Sequence, residues 1–331
     1  GYETAGFIGT SLPSSDFHFH RGFPFFDEDV IPQGIPGNYT RDAVDINERV
    51  LSWLDSRDSS RPFFLWIHYF DPHYPYEARY GEHKGEKYMY DFLYGLYADQ
   101  NVEVIQREFD KIRLFYSQEI FYTDNKIGEI LKRLEQDGLF DNSVITVAGD
   151  HGEELFQHEN FFGHSRSLYN TVLNVPLIIS LPGGKHAGAR IDSVVRTIDI
   201  PSTLLDAAGI EEPDAFEGRT LMPLIRGEPE KPRIAYSIRD PLDQFYWEGN
   251  GCAVTTDEWK YMEFKKAPDR LFHISLDPLE RRNVAGEFGD KTKEMQSLVV
   301  ENLYSDPIYK AVNPASSEEE IEMLKSLGYL R

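Results

Sequence analysis

The apolar positions of the chain change period several times, and each change marks an element. Residues 2–9 (YETAGFIG) predict a short strand, and 10–40, rich in Pro, Gly, Ser and aromatics without a steady period, predict a long loop. Val44, Ile46, Val50, Leu51 and Leu54 recur at helical spacing over 41–55. Residues 63–70 (FFLWIHYF) are almost continuously apolar after Pro62, the pattern of a strand covered on both faces, as in a parallel sheet. Ile112, Tyr116, Ile120, Ile127, Leu131 and Leu134 form one stripe of a long helix over 109–137, with Gly138 where a helix C-terminus favours glycine. Residues 144–148 and 175–181 predict two more buried strands, and 201–209 a helix with Pro in its first turn and Gly at its end.

Strands alternating with helices predict an α/β domain, a mainly parallel mixed sheet sandwiched by helices. The texture changes near Pro229–Pro232. Beyond it, 234–238, 252–256, 259–264 and 271–275 read as short strands without intervening helices, followed by a helix over about 287–303. The expected division is therefore a catalytic α/β domain over 1–230 and a C-terminal subdomain over 231–331 with a small antiparallel sheet. The charged run 318–322 predicts the start of a solvated terminal helix.

Composition narrows the function. Of 331 residues, 40% are hydrophobic and 27% charged, as in an ordinary globular protein. The formal net charge of −22 argues against nucleic acid, which needs a basic surface. It leaves an anionic substrate open, because a metal ion or a few placed cations override the mean field locally. No run of 18 apolar residues is present to span a membrane. The one cysteine, Cys252, has no internal disulfide partner. The chain begins Gly1-Tyr2-Glu3-Thr4 without a visible signal peptide, and the expectation is that it starts inside a larger protein.

Three constellations carry candidate chemistry. Asp150 and His151 follow a buried strand at its carboxyl end, where open α/β sheets bind ligands. An adjacent carboxylate and imidazole suit one cation, and Gly149 and Gly152 let the backbone turn around it; equally, Asp150 could cap a helix and His151 be a polar loop residue. His73, in HYFDPHYPY (68–76), follows another buried strand and is held extended between prolines, facing the same crevice if the strands are parallel. His68 reads as a core residue of that strand. His164, 13 residues beyond His151, is within a loop's reach of the first site, whereas His158 reads as an exposed loop residue. His18 and His20 are isolated.

Residues 62–76 (PFFLWIHYFDPHYPY), 144–183 (VITVAGDHGEELFQHENFFGHSRSLYNTVLNVPLIISLPG), 197–210 (TIDIPSTLLDAAGI), 217–227 (EGRTLMPLIRG), 271–285 (LFHISLDPLERRNVA) and 324–330 (LKSLGYL) together resemble sulfatases of the alkaline phosphatase superfamily, in that order. The opening GYETAGFIGT and RGFPFFDED (21–29) do so too. The resemblance implies an alkaline phosphatase-like fold with a small C-terminal four-stranded sheet. It implies one divalent cation, usually Ca2+, with Asp150 and His151 matching the later pair of its ligands. It further implies that His73 contacts the sulfate and that His164 stands where the family places a sulfate-binding Lys or His. The substrate class implied is a small-molecule or carbohydrate sulfate ester, and an extracytoplasmic site is slightly favoured.

The departures are as informative. Sulfatases use a formylglycine made in a C/S-x-P-S-R motif; Cys252, followed by Ala253 and Val254, is not in one, and the early Asp pair of metal ligands has no counterpart. The expectation is a sulfuric ester hydrolase lacking roughly a hundred residues before Gly1, inactive as this chain alone. The rivals are a phosphoric or phosphonic ester hydrolase of the same superfamily and a non-catalytic relative. The Tyr-, Phe- and Trp-rich loops at 77–108 and 238–251 read as carbohydrate-contacting or simply packed.

Overall fold

A computed structural model of the chain describes residues 1–32, 39–88, 102–158, 162–164, 167–239 and 251–302. These fall into two compact units, 1–140 and 141–302. The expected helix from residue 318 and much of the two aromatic loops lie outside the described residues.

In the first unit, strand β1 (Glu3–Ile8) is central, flanked by β2 (Phe25–Asp27) and β3 (Phe63–His68). Both pairings are parallel, with Ala5 opposite Phe25 on one side and Leu65 on the other. Ala5, Phe7 and Ile8 have no exposed surface. Helix α1 (Ala43–Ser56) starts on Asp42, whose carboxylate accepts a hydrogen bond from Val44 N at 2.9 Å. It buries Ile46, Val50, Trp53 and Leu54, and Trp53 meets Phe7 edge to face. The long helix α2 (Val102–Gln136) begins ahead of its predicted stripe and closes at Gly138, whose φ of +68° suits glycine. β2 falls inside the segment expected to be all loop. Three residues are too few to show a period of two, and its partner lies far off in sequence.

In the second unit, β4 (Ile145–Ala148) pairs antiparallel with β5 (Leu177–Ser180), so the architecture is mixed. The apolar runs predict strands covered on both faces; instead Ile178 is 64% exposed, as Phe64 of β3 is 43% exposed in the first unit. The apolar strand sequence exceeds what the described residues cover. Helix α3 (Asp199–Ala208) ends on Gly209 in the left-handed conformation.

Four strands then form an antiparallel sheet in sequence order: β6 (Ala235–Ile238), β7 (Gly251–Thr255), β8 (Lys260–Phe264) and β9 (Arg270–Phe272). Alternation along them divides two cores. Cys252, Val254, Tyr261 and Leu271 pack with Met295 and Val299 of helix α4 (Gly289–Asn302). Ala253, Met262, Phe264 and Phe272 pack with Leu168 and Tyr169, just beyond His164. The α/β architecture with a small C-terminal antiparallel sheet is thus as expected.

A buried ion pair fastens the two parts of this unit. Lys260 Nζ lies 2.9 Å from Glu280 Oε1 and 2.9 Å from Asn170 Oδ1, and neither charged side chain is more than 1% exposed. Burial pushes Lys260 down to about 8, against the pull of Glu280. Removing one partner leaves the other charge buried and unpaired. Glu280→Ala is therefore expected to cost about 3–5 kcal/mol in denaturant unfolding, and the double variant Lys260→Met/Glu280→Leu markedly less. Equal losses in both would contradict the assignment.

Candidate active site

β4 ends at Ala148, and the chain turns through Gly149-Asp150-His151-Gly152. The turn is tight. A Cβ on Gly152 would stand 2.1 Å from the Thr171 carbonyl oxygen, while Gly152 N donates to Val172 O at 2.7 Å. A Cβ on Gly149 would meet the Val175 and Pro176 side chains at 3.3 and 3.4 Å and the His151 carbonyl oxygen at an ordinary 3.6 Å. Asp150 is left projecting, its side chain 70% exposed, and accepts a hydrogen bond from His151 N at 2.8 Å.

The ring nitrogens divide the histidines by role. His151 Nδ1 donates to Gly152 O at 2.9 Å, since a carbonyl only accepts, which in the neutral ring leaves the lone pair on Nε2. That Nε2 lies 3.7 Å from Asp150 Oδ2, a separation two ligands of one cation can have. His164, buried, stacks on His151 with ring centroids 4.0 Å apart, and its Nδ1 donates to Glu153 Oε1 at 3.2 Å. In the first unit, His73 donates from Nδ1 to Tyr74 O at 2.7 Å and stacks on Phe70 at 4.3 Å. It sits between the cis peptides Asp71–Pro72 and Tyr74–Pro75. Each of these three rings is oriented by a hydrogen bond from Nδ1.

His158 differs, and it is not the exposed loop residue expected. Its Nε2 donates to Leu279 O at 2.9 Å, its Nδ1 faces Glu154 Oε2 at 3.0 Å, and it lies flat on Tyr169 with centroids 3.8 Å apart. Burial opposes its charge, but the hydrogen bonds to Glu154 and Leu279 O outweigh this and raise its pKa. Both nitrogens are used structurally. Glu154 itself, with no exposed surface, also accepts from Gln157 N, His158 N, Ser167 Oγ and Thr171 Oγ1. Glu153 and Glu154 had no signal of their own in the sequence, since an acidic pair after a strand end is ordinarily solvated. His18 and His20 are exposed, and His68 is half-buried beside Trp66.

Among the described residues no cluster of three or more His, Cys, Asp or Glu is arranged to hold a metal ion. Asp150 and His151 supply two donors of the hard and borderline kind a divalent cation accepts, short of a full set. Cys252 is buried within β7 and far in role from this turn.

Comparison with known proteins places this geometry in context. Residues 1–210 match the family model described as Sulfatase, and residues 158–306 match "N-sulphoglucosamine sulphohydrolase, C-terminal". Arylsulfatase K of Danio rerio is 29% identical over 234 residues, covering 67% of this chain and 43% of that protein. The chain spans about half the length of the curated relatives it matches, 43% of that one and 58% of arylsulfatase K of Bos taurus. Among solved structures, one determined with its substrate D-glucosamine-2-N,6-O-disulfate aligns with a TM-score of 0.67 at 19% identity, covering 96% of this chain and 82% of its own. The phosphonate monoester hydrolase of Agrobacterium radiobacter aligns at 0.66 and 19%, covering 91% and 77%. At such identities these structures establish the fold.

The turn geometry makes a sharp prediction. Gly152→Ala forces backbone against backbone and is expected to cost about 3 kcal/mol, at the upper end for overpacking, whereas Gly149→Ala costs less than about 1. Thermal unfolding of the two variants measures it. Equal tolerance would mean the 149–152 turn is not the tight one described.

Proposed function

We propose that this chain, which belongs to the sulfatase family, forms part of a metal-dependent sulfuric ester hydrolase acting on a sulfated small molecule or carbohydrate. The observation that carries the reading is the Asp150–His151 turn, where a carboxylate oxygen and an imidazole Nε2 stand side by side at a strand end. A divalent cation, Ca2+ by family resemblance, polarises sulfate oxygens when bound, and a formylglycine supplies the family's nucleophile. Asp150 and His151 would hold that cation. His164, oriented by Glu153, offers Nε2 to a sulfate oxygen or to the leaving oxygen, and His73, oriented by Tyr74 O, is assigned the same class of contact from its P-H-x-P-Y context. The sulfated-sugar complex among the structural neighbours supports a carbohydrate ester as substrate.

A second reading, phosphonate or phosphate ester hydrolysis, is favoured by the similarity to a phosphonate monoester hydrolase. The two are separated by assaying the native protein, as its gene encodes it, on an aryl sulfate, an aryl phosphonate monoester and an aryl phosphate diester. Sulfate turnover exceeding the other two supports the first reading; the reverse order hands the function to the second.

Two expectations follow for the native protein. Asp150→Asn with His151→Ala should abolish turnover and lower bound calcium measured by atomic emission; unchanged metal content would remove the ligand assignment. His73→Ala and His164→Gln should each lower kcat by about 10²–10⁴-fold with little change in thermal midpoint. A loss confined to stability would make these histidines structural.

A further inference from the structure

The loop that carries His73 is built on a buried charge cluster outside the roles above. Arg79 is its centre. Its Nη1 donates to Asp42 at 2.8 Å, its Nη2 donates to Asp71 at 2.5 Å, and Glu119 Oε1 lies 3.4 Å away. The guanidinium covers the Tyr122 ring, 4.4 Å from its centroid. The three carboxylates come from different elements: Asp42 caps α1, Glu119 sits midway along α2, and Asp71 precedes Pro72-His73. Each also makes a second bond between elements or within its cap. Asp71 accepts from Ala43 N at 3.1 Å, Glu119 accepts from Glu77 N at 3.0 Å, and Asp42 accepts from Val44 N and from Tyr122 Oη. Asp71 and Glu77 bracket His73 in sequence, so both ends of its loop are tied down.

We propose that Arg79 is a positioning residue for His73, fixing the ends of loop 71–77 to α1 and α2 through Asp42, Asp71 and Glu119. This rests on the reading of His73 as a substrate-contacting group. The geometry fits positioning better than general packing, because Arg79 is a planar fork whose bonds diverge to separate elements, and no apolar residue of that size could hold all three.

The charge balance adds a pH dependence. Three carboxylates face one guanidinium; the Glu77 carboxylate adds further negative charge on the loop side, and Lys126 lies 5.7 Å from the Tyr122 ring on the α2 side. Burial, then the Asp42 charge, pushes Asp71 up to about 6. Burial, then the Asp71 charge, pushes Glu119 up to about 8. Asp42 is partly desolvated, but the bonds from Tyr122 and Val44 N and the Arg79 charge hold it below the usual carboxylate value. Between these two values the cluster's proton is therefore on Glu119, which leaves two carboxylates against one guanidinium. A carboxyl whose folded pKa is raised stabilises the fold below its unfolded pKa, and that stability is lost as pH rises through the folded value. The loop is expected to loosen on the alkaline side.

The test uses the native protein and two conservative variants, Glu119→Gln and Arg79→Lys, followed between pH 6 and 9 by amide hydrogen exchange at Glu77 and by kcat on an aryl sulfate. In the parent protein the protection factor of the Glu77 amide and kcat should fall together as pH passes about 8. Glu119→Gln, which has no proton to lose, should flatten both alkaline limbs. Arg79→Lys, which lacks the fork, should lower kcat about tenfold or more with KM nearly unchanged. A Glu77 limb that is flattened without any change in the kcat limb would overturn the proposal. So would full kcat in Arg79→Lys beside an inactive His73→Ala. Full kcat in His73→Ala would instead fell the reading of His73 and the positioning role with it.

Discussion

A carboxylate with no exposed surface must find its partners inside the protein, and in the second unit Glu154 finds five of them. Those bonds gather the chain on either side of His164: Gln157 and His158 before it, Ser167 and Thr171 after it. Through His158 the same carboxylate reaches the Leu279 carbonyl, and through Thr171 it holds the segment whose carbonyl abuts Gly152. His164, between these tied segments, stacks on His151 and bonds to Glu153. The candidate chemistry is thus supported by a residue that takes no part in it.

The supports of the candidate residues share a logic. Asp150, His151 and His73 all follow the ends of strands whose interiors are apolar, where backbone polar groups leave the sheet and side chains are re-aimed. Behind them stand paired charges, buried in Glu154 with His158 and Lys260 with Glu280 and half-buried in Arg79 with Asp42 and Asp71. Such pairs are costly to bury and sensitive to the loss of either member, so they define geometry more than they add stability.

Much of this was legible in the sequence where the signal is local. The helical spacing of Ile46, Val50 and Leu54 marked α1, and the run of short strands without intervening helices beyond Pro232 marked the small antiparallel sheet, though not the two cores that its alternation divides. The glycines around Asp150 and His151 marked a turn, and the turn is there. Less legible was anything that depends on distant partners. β2 is three residues long and pairs with β1 across a loop; His158 looks like a loop histidine until Leu279 arrives from 121 residues away. The Arg79 cluster draws on residues 42, 71, 79 and 119, each of which reads alone as an ordinary surface charge. The half-exposed faces of β3 and β5 were likewise invisible, because a continuous apolar run states what a strand can bury and not what lies against it.

The central claim is that Asp150 and His151 are ligands of one divalent cation in a sulfate ester site. A crystal structure of the native protein grown with calcium measures this most directly. The account predicts a cation bonded to the Asp150 carboxylate at about 2.3–2.6 Å and to His151 through Nε2, with His164 still stacked on His151. A cation bound elsewhere, with Asp150 in solvent and His151 turned to donate from Nε2, would contradict it.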